Sequence, residues 1–265
     1  MVNDYAHPEI LVDTQWVEDN KKNSQIRIVE VDYDPTLNYD QGHIENSFLF
    51  EWKNDLNDPV TRSIVNKQQL SDLLSKTGIG KSTTIVLYGD FNNWFAAYAF
   101  WILKYYGHED VKIMNGGRKK WIDEDRDLTL DIPNTDQTDY ISEEPDESLR
   151  AYFTEIKDGL KDQSHTLVDV RSPAEFSGEV LAPPEYPTEM AQRGGHIPAA
   201  NNVPWASAVN EDGTFKTFEE LQQIYQPKGI TEEKDIIAYC RIGERSSHTW
   251  LVLKYLLGYP NVKNY

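Results

Sequence analysis

Cys240, Arg241 and Arg245 combine a nucleophile with two guanidinium groups in one short run, Tyr239-Cys240-Arg241-Ile242-Gly243-Glu244-Arg245-Ser246. Cys240 is the only cysteine of the chain. The residues Ile236 to Cys240 read as a buried strand, and an apolar-periodic run follows Ser246, so the thiol falls at a strand-to-helix turn. Such a turn offers unpaired backbone N–H groups and the positive end of a helix dipole. Both favour thiolate over thiol, and nearby arginines act in the same direction. Gly243 lets the backbone curl into an anion-cradling nest, in which the N–H groups of Ile242, Gly243, Glu244 and Ser246 can serve the sulfur. A lone cysteine is most often a small buried hydrophobe. Two arginines, the glycine, and a position at the C-terminal end of a strand, where open α/β sheets bind ligands, point instead to a reactive thiol.

The elements that position this turn occur twice. Ile28-Val29-Glu30-Val31-Asp32 matches Leu167-Val168-Asp169-Val170-Arg171, 139 residues later. Gly42-His43-Ile44 and Trp52 match Gly195-His196-Ile197 and Trp205 at an offset of 153. Gly78-Ile79, Tyr88-Gly89, Gly107 and Val111-Lys112 match Gly229-Ile230, Tyr239-Cys240, Gly258 and Val262-Lys263 at an offset of 151. The jump from 139 to 153 places an insertion between Leu181 and Gly194, and its three prolines mark it as a loop. Each copy alternates strands and helices, which predicts a central parallel sheet flanked by helices on both faces. Trp94, Tyr98, Trp101 and Tyr105 recur at helical spacing in the first copy, as do Trp250, Leu253 and Leu257 in the second. These stripes are core faces. The expected organisation is a first α/β domain over residues 1–128, a linker rich in Asp, Glu, Thr and Pro over 129–147, and a second domain over 148–265. The chain stops at Tyr265, the counterpart of Met114, so the second domain is expected to lack a last helix equivalent to the segment after Asn115.

The copies diverge at the chemistry. Gly89 stands opposite Cys240 and Asp90 opposite Arg241. The first copy has no nucleophile, and an aspartate would repel an anion. His43 and His196 occur in both copies although only one can react, so a structural, loop-fixing role is expected for them. His248 lies about two helical turns, ~12 Å, beyond Cys240, too far for a Cys–His pair within one helix.

Composition narrows the partners. The net charge of −18 argues against nucleic acids and anionic membranes, which need a basic surface. A small anion is still compatible, because distant surface charges are screened beyond about 8–10 Å. No stretch approaches the ~18 apolar residues of a membrane span. The first residues lack the order of a secretory signal, and one cysteine rules out an intrachain disulfide or a multi-cysteine zinc site. A cytoplasmic setting, with no metal, is expected.

Two tandem α/β units, Gly-His-Ile in each, and Cys-Arg-Ile-Gly-Glu-Arg in the second alone make the chain resemble a two-domain rhodanese of the thiosulfate sulfurtransferase family. The likeness runs over nearly the whole chain and is most specific at 194–205 and 239–250. It implies an inactive N-terminal domain, an active C-terminal one, and transfer of the outer sulfur of thiosulfate through a persulfide on Cys240. Sulfite leaves, and cyanide or a thiol or dithiol acceptor, such as a thioredoxin-like protein, takes the sulfur. No cofactor beyond that covalent persulfide is implied. Arg245 and Arg241 would hold the sulfonate oxygens, since guanidinium forks suit such anions. Arg171 either joins them or forms an ion pair with Asp169 or Glu175, and Arg193 would reach the mouth of the site. Basic residues after the cysteine favour thiosulfate over 3-mercaptopyruvate, whose enzymes resemble Gly-Ser-Gly here. Glu244 runs against this, since a carboxylate in an anion-binding turn costs affinity; pointing outward to an arginine would remove the conflict. Cysteine phosphatases and some arsenate reductases share the cradle but use Cys-x5-Arg, one residue longer than Cys240 to Arg245. A non-enzymatic sulfur-carrier scaffold is the remaining alternative.

Overall fold

The computed structural model describes residues 4–58, 60–61, 63–162, 164–183 and 191–265. These form two compact units, one of residues 9–146 and 210–215, the other of 4–8, 147–209 and 216–265.

In the first unit β1 (Leu11–Val12), β2 (Ile26–Asp32), β3 (Ser47–Glu51), β4 (Thr84–Tyr88) and β5 (Val111–Met114) form a parallel sheet of order β1-β5-β4-β2-β3. Its helices are α1 (Thr14–Asn20), α2 (Trp52–Asp55), α3 (Lys67–Lys76), α4 (Trp94–Tyr105) and α5 (Gly117–Asp123). Val17 of α1 and Trp121 of α5 pack with Ile28, Val86, Tyr88 and Met114 on one face of the sheet. Side chains alternate along a strand, so Ile85 and Leu87, both fully buried, serve the opposite face. The aromatic stripe Trp94, Tyr98, Trp101 and Tyr105 is buried along α4, which packs on β2, β4 and β5.

The second unit repeats the scheme with β6 (Thr166–Asp169), β7 (Asn201–Asn202), β8 (Ile236–Tyr239) and β9 (Val262–Asn264), parallel in the order β7-β6-β8-β9. Its helices are α6 (Phe153–Gly159), α7 (Pro173–Ser177), α8 (Phe218–Tyr225) and α9 (Glu244–Leu251), the last continuing into a π-helical turn, Val252–Leu256. Ser172 with Glu175 and Thr217 with Glu220 form capping boxes that start α7 and α8 by satisfying their free N–H groups.

The alignment of the copies holds at single hydrogen bonds. Tyr88 Oη accepts from the Ile44 amide and Tyr239 Oη from the Ile197 amide, each at 3.1 Å. Both tyrosines end a central strand, and both isoleucines close a Gly-His-Ile loop. His43 is buried, with its ring nitrogens at 3.0 Å from Tyr39 O and 3.1 Å from Asp131 O. His196 lies 2.8 Å from Phe176 O and stacks on the Phe176 ring. Both histidines fasten loops.

Two boundaries differ from the expected organisation. The stretch from 129, read as a linker, belongs to the first unit as far as Asp146. Thr129 pairs with His43 in both directions, Thr138 N donates to Ser75 O, Glu143 N donates to Tyr106 O, and Tyr140 and Ser142 are buried. Its acidic composition hides a strap whose backbone is satisfied by neighbouring loops. Residues 4–8 belong with the second copy and 210–215 with the first. Most of the proline-rich insertion, 184–190, lies outside the described residues. Among the described residues no helix is long and apolar enough to cross a membrane.

Candidate active site

Cys240 follows β8 directly and occupies the turn into α9 at the C-terminal end of the sheet. Gly243 caps α9 with φ +91°, a conformation open to glycine and strained for most other residues. The turn is tied down from β9: Asn264 Nδ2 donates to Gly243 O at 2.9 Å, and Ser246 Oγ donates to Asn264 Oδ1 at 2.5 Å. Asn264 is 1% exposed, so these bonds are shielded from water.

The thiol is 9% exposed and its surroundings are polar. Cys240 Sγ donates to Glu244 Oε2 at 3.1 Å, and Ser246 Oγ, whose proton goes to Asn264, lies 3.7 Å from the sulfur. The Ser246 amide also points at it. Glu244 is therefore directed inward, not outward to an arginine, and is buried. Four residues on a turn entering a helix place its carboxylate beside the sulfur, a geometry in which i and i+4 meet.

The electrostatics reverse one expectation. Burial, and after it the Glu244 carboxylate, push the Cys240 thiol above its ordinary range, while Arg245 and the Ser246 amide only partly oppose them. The amides and one guanidinium do not outweigh desolvation plus a neighbouring negative charge, and the sulfur's hydrogen bond to Glu244 runs in the same direction.

The arginines are already engaged. Arg245 donates to both carboxylate oxygens of Glu175, at 2.8 and 3.0 Å, and its Nε lies 3.6 Å from Glu244 Oε1. Burial favours neutral Glu175, yet the Arg245 hydrogen bond and charge hold its carboxyl below the usual range. Arg171 pairs with Asp169, Nη2 to Oδ2 at 2.6 Å and Nε to Oδ1 at 3.0 Å, and also donates to Gly195 O at 2.7 Å. Of the two alternatives for Arg171, the ion pair with Asp169 is the one present. Arg241 is half-buried within the turn, next to the sulfur in sequence, and Arg193 is exposed before Gly194. Among the described residues Arg193 joins neither ion pair. Cys240, Glu244, Arg245, Ser246 and the Gly243 turn are thus brought together; among the described residues neither Arg171 nor Arg193 is seen bonded to that group.

Sequence reasoning named Glu175 only as a possible partner of Arg171, and did not reach Asn264. Ser172 and Glu175 form the capping box that starts α7, but nothing local marks the tie from Glu175 to Arg245. Nothing local marks Asn264, which reaches the turn only because β9 lies beside β8.

In the first copy the equivalent turn carries no side chain at the nucleophile position. A Cβ on Gly89 would lie 2.7 Å from Val31 O, so the backbone itself closes the site. Asn93, at the position of Glu244, spans the turn instead: it accepts from Gly89 N at 3.1 Å and donates to Met114 O at 2.7 Å.

Matches to the rhodanese-like domain cover residues 13–124 and 153–265, one in each half. The chain belongs to the rhodanese family of sulfurtransferases. It is 53% identical to the sulfur carrier protein TtuD of Thermus thermophilus, over 98% of this chain and 92% of that one. It is 54% identical to a Mycolicibacterium smegmatis protein named "Putative thiosulfate sulfurtransferase", over 98% of this chain and 93% of that one. Among solved structures it is similar to the 3-mercaptopyruvate sulfotransferase SseA of Escherichia coli, with a TM-score of 0.83, 25% identity, and 96% of each chain covered. The likeness to this rhodanese fold extends to both parallel-sheet domains.

Proposed function

We propose that the chain is a thiosulfate sulfurtransferase. Cys240 attacks the outer sulfur of thiosulfate, sulfite departs, and the persulfide left on Cys240 passes its sulfur to cyanide or to a thiol or dithiol acceptor, a route of covalent catalysis. The observation that carries this reading is the placement of Cys240 Sγ in a polar turn at the end of β8, 3.1 Å from Glu244 and under the Ser246 amide. Arg241, in the turn itself, and Arg245, whose charge acts on the sulfur, are the guanidinium groups that would meet the sulfonate. The relatives named for thiosulfate transfer support the choice of donor.

Glu244 favours a second reading, 3-mercaptopyruvate as donor. Thiosulfate carries two negative charges to a site that already holds a buried carboxylate, whereas mercaptopyruvate brings one. The likeness to SseA points the same way. Steady-state kcat/KM for the two donors, with sulfite and pyruvate release measured separately, decides between them. A higher value for thiosulfate supports the proposal, and a higher value for mercaptopyruvate overturns it. A third reading, a sulfur carrier as TtuD is named, shares the Cys240 persulfide and differs in the acceptor, a protein rather than a small nucleophile.

A further inference from the structure

A thiol held above its ordinary range is a poor nucleophile, yet the reaction needs a thiolate. We infer that Glu244 is a catalytic residue that takes the proton of Cys240 and returns it in each cycle. This inference rests on the sulfurtransferase reading and deepens it.

The geometry supplies the path, Cys240 Sγ to Glu244 Oε2 at 3.1 Å, with both groups buried. The charges around them supply the reason. Arg245 Nε stands 3.6 Å from Glu244 Oε1, but Arg245 is also bound by Glu175 from α7. Behind these, Arg171 is neutralised by Asp169 at the end of β6, and β9 contributes the uncharged Asn264. Arg241 lies half-buried in the same turn. Thiolate and carboxylate together would place two like charges beside one guanidinium that is shared with a third carboxylate. A proton lying between Cys240 and Glu244 relieves that repulsion.

The cycle balances on that proton. In the first half, the Cys240 proton passes to Glu244 as the sulfur electron pair forms a bond to the outer sulfur of thiosulfate. The donor S–S bond breaks, and its electron pair leaves with sulfite. The persulfide carries the negative charge and Glu244 is the neutral acid. In the second half, cyanide attacks the outer sulfur, a C–S bond forms, and the persulfide S–S bond breaks. Its electron pair returns to Cys240 Sγ, which takes the proton back from Glu244. No proton has to cross from solvent, which suits a thiol that is 9% exposed.

The test compares the full-length chain with Glu244→Gln, an isosteric change, in two assays. The first is alkylation of Cys240 by iodoacetamide across pH, which reads thiolate without any sulfur donor. Loss of the neighbouring charge should make Glu244→Gln react at least about tenfold faster near neutral pH. The second is single-turnover discharge of the preformed persulfide to cyanide. Loss of the internal acid should slow it about 100-fold. Opposite movement of the two rates is the expected result, read on a variant whose circular dichroism and melting transition match the wild type, because unfolding would also expose the buried thiol. Unchanged alkylation, or unchanged discharge, overturns the inference. Should Glu244→Gln fail to fold, Glu244→Asp, which withdraws the carboxylate by one methylene, is read in the discharge assay: slower discharge supports the inference and unchanged discharge overturns it. A wild-type chain that gains no sulfur from thiosulfate or mercaptopyruvate overturns the sulfurtransferase reading instead, and alkylation alone then decides whether the proton is shared.

Discussion

Arg171 of the second unit and Arg118 of the first reach equivalent partners from positions that do not correspond. Arg118 binds Glu30 at 2.6 Å and donates to Gly42 O at 2.6 Å, while Arg171 binds Asp169 at 2.6 Å and donates to Gly195 O at 2.7 Å. Glu30 and Asp169 occupy matching positions in equivalent strands, and Gly42 and Gly195 open the two Gly-His-Ile loops. The fold buries a carboxylate at this point and needs a guanidinium to neutralise it and to pin the loop to the strand. The first copy draws it from α5 and the second from the residue two past Asp169.

Removing one partner of a buried pair leaves the other charge uncompensated. Arg171→Gln is therefore expected to cost about 3–5 kcal/mol in urea unfolding, and Asp169→Asn in the same chain to restore much of the loss. Where the variant still folds, its KM for thiosulfate should stay near the wild-type value. A large rise in KM with unchanged stability would return Arg171 to the substrate site.

The first unit should weaken as the solution becomes alkaline. Burial first, then repulsion from Glu30, raises the Asp32 carboxyl to about 8. Burial likewise raises Glu30 to about 7 and Asp90 to about 6. Folded-state values above those of the unfolded chain mean that the folded state holds protons the unfolded state has released. Their stabilising effect is complete below the unfolded carboxylate range, near about 4, and is lost as pH rises through the folded values. Asp32 Oδ1 is also buried with no hydrogen-bond partner. Asp32→Asn should add roughly 1–3 kcal/mol at pH 9 and little at pH 4, read from denaturant midpoints at both.

Placing a cysteine in the first copy should not create a second site. Gly89→Cys forces a Cβ to within 2.7 Å of Val31 O, and the strain should cost about 1–3 kcal/mol. In a Cys240→Ser background, mass measurement after thiosulfate treatment should show no added sulfur. Uptake at position 89 would mean that the backbone there yields more easily than its packing implies.

Asn264→Ala should separate turn order from fold. It deletes the bonds to Gly243 O and Ser246 Oγ in a water-excluded place, at an expected cost of about 1–3 kcal/mol. Persulfide formation should slow by more than the loss of stability explains, because the turn that aims Ser246 at the thiol is no longer fastened. Equal rates in the folded variant would show that α9 alone holds the turn.

The repeat, the parallel sheets and the reactive turn were legible in the residues. Constant offsets mark equivalent positions, unbroken apolar runs mark buried parallel strands, and a cysteine followed by Arg-Ile-Gly marks the bend into a helix. These are local patterns, set by strand and helix periods and by the backbone freedom of Gly243. The acidic stretch from 129 looked like a linker because its anchors, Tyr140 and Ser142, are few and their partners lie far away in sequence. The charge balance of the site was likewise out of reach. The residues alone offer four candidate arginines for one thiol and predict a thiolate, but they do not say which carboxylates each arginine will meet. Only the packing of α7 against α9, and of β9 against β8, assigns Glu175 to Arg245, Asn264 to the turn and Glu244 to the sulfur. Burial then makes each assignment decide a protonation state, because in a site without water a charge is governed by the groups that touch it.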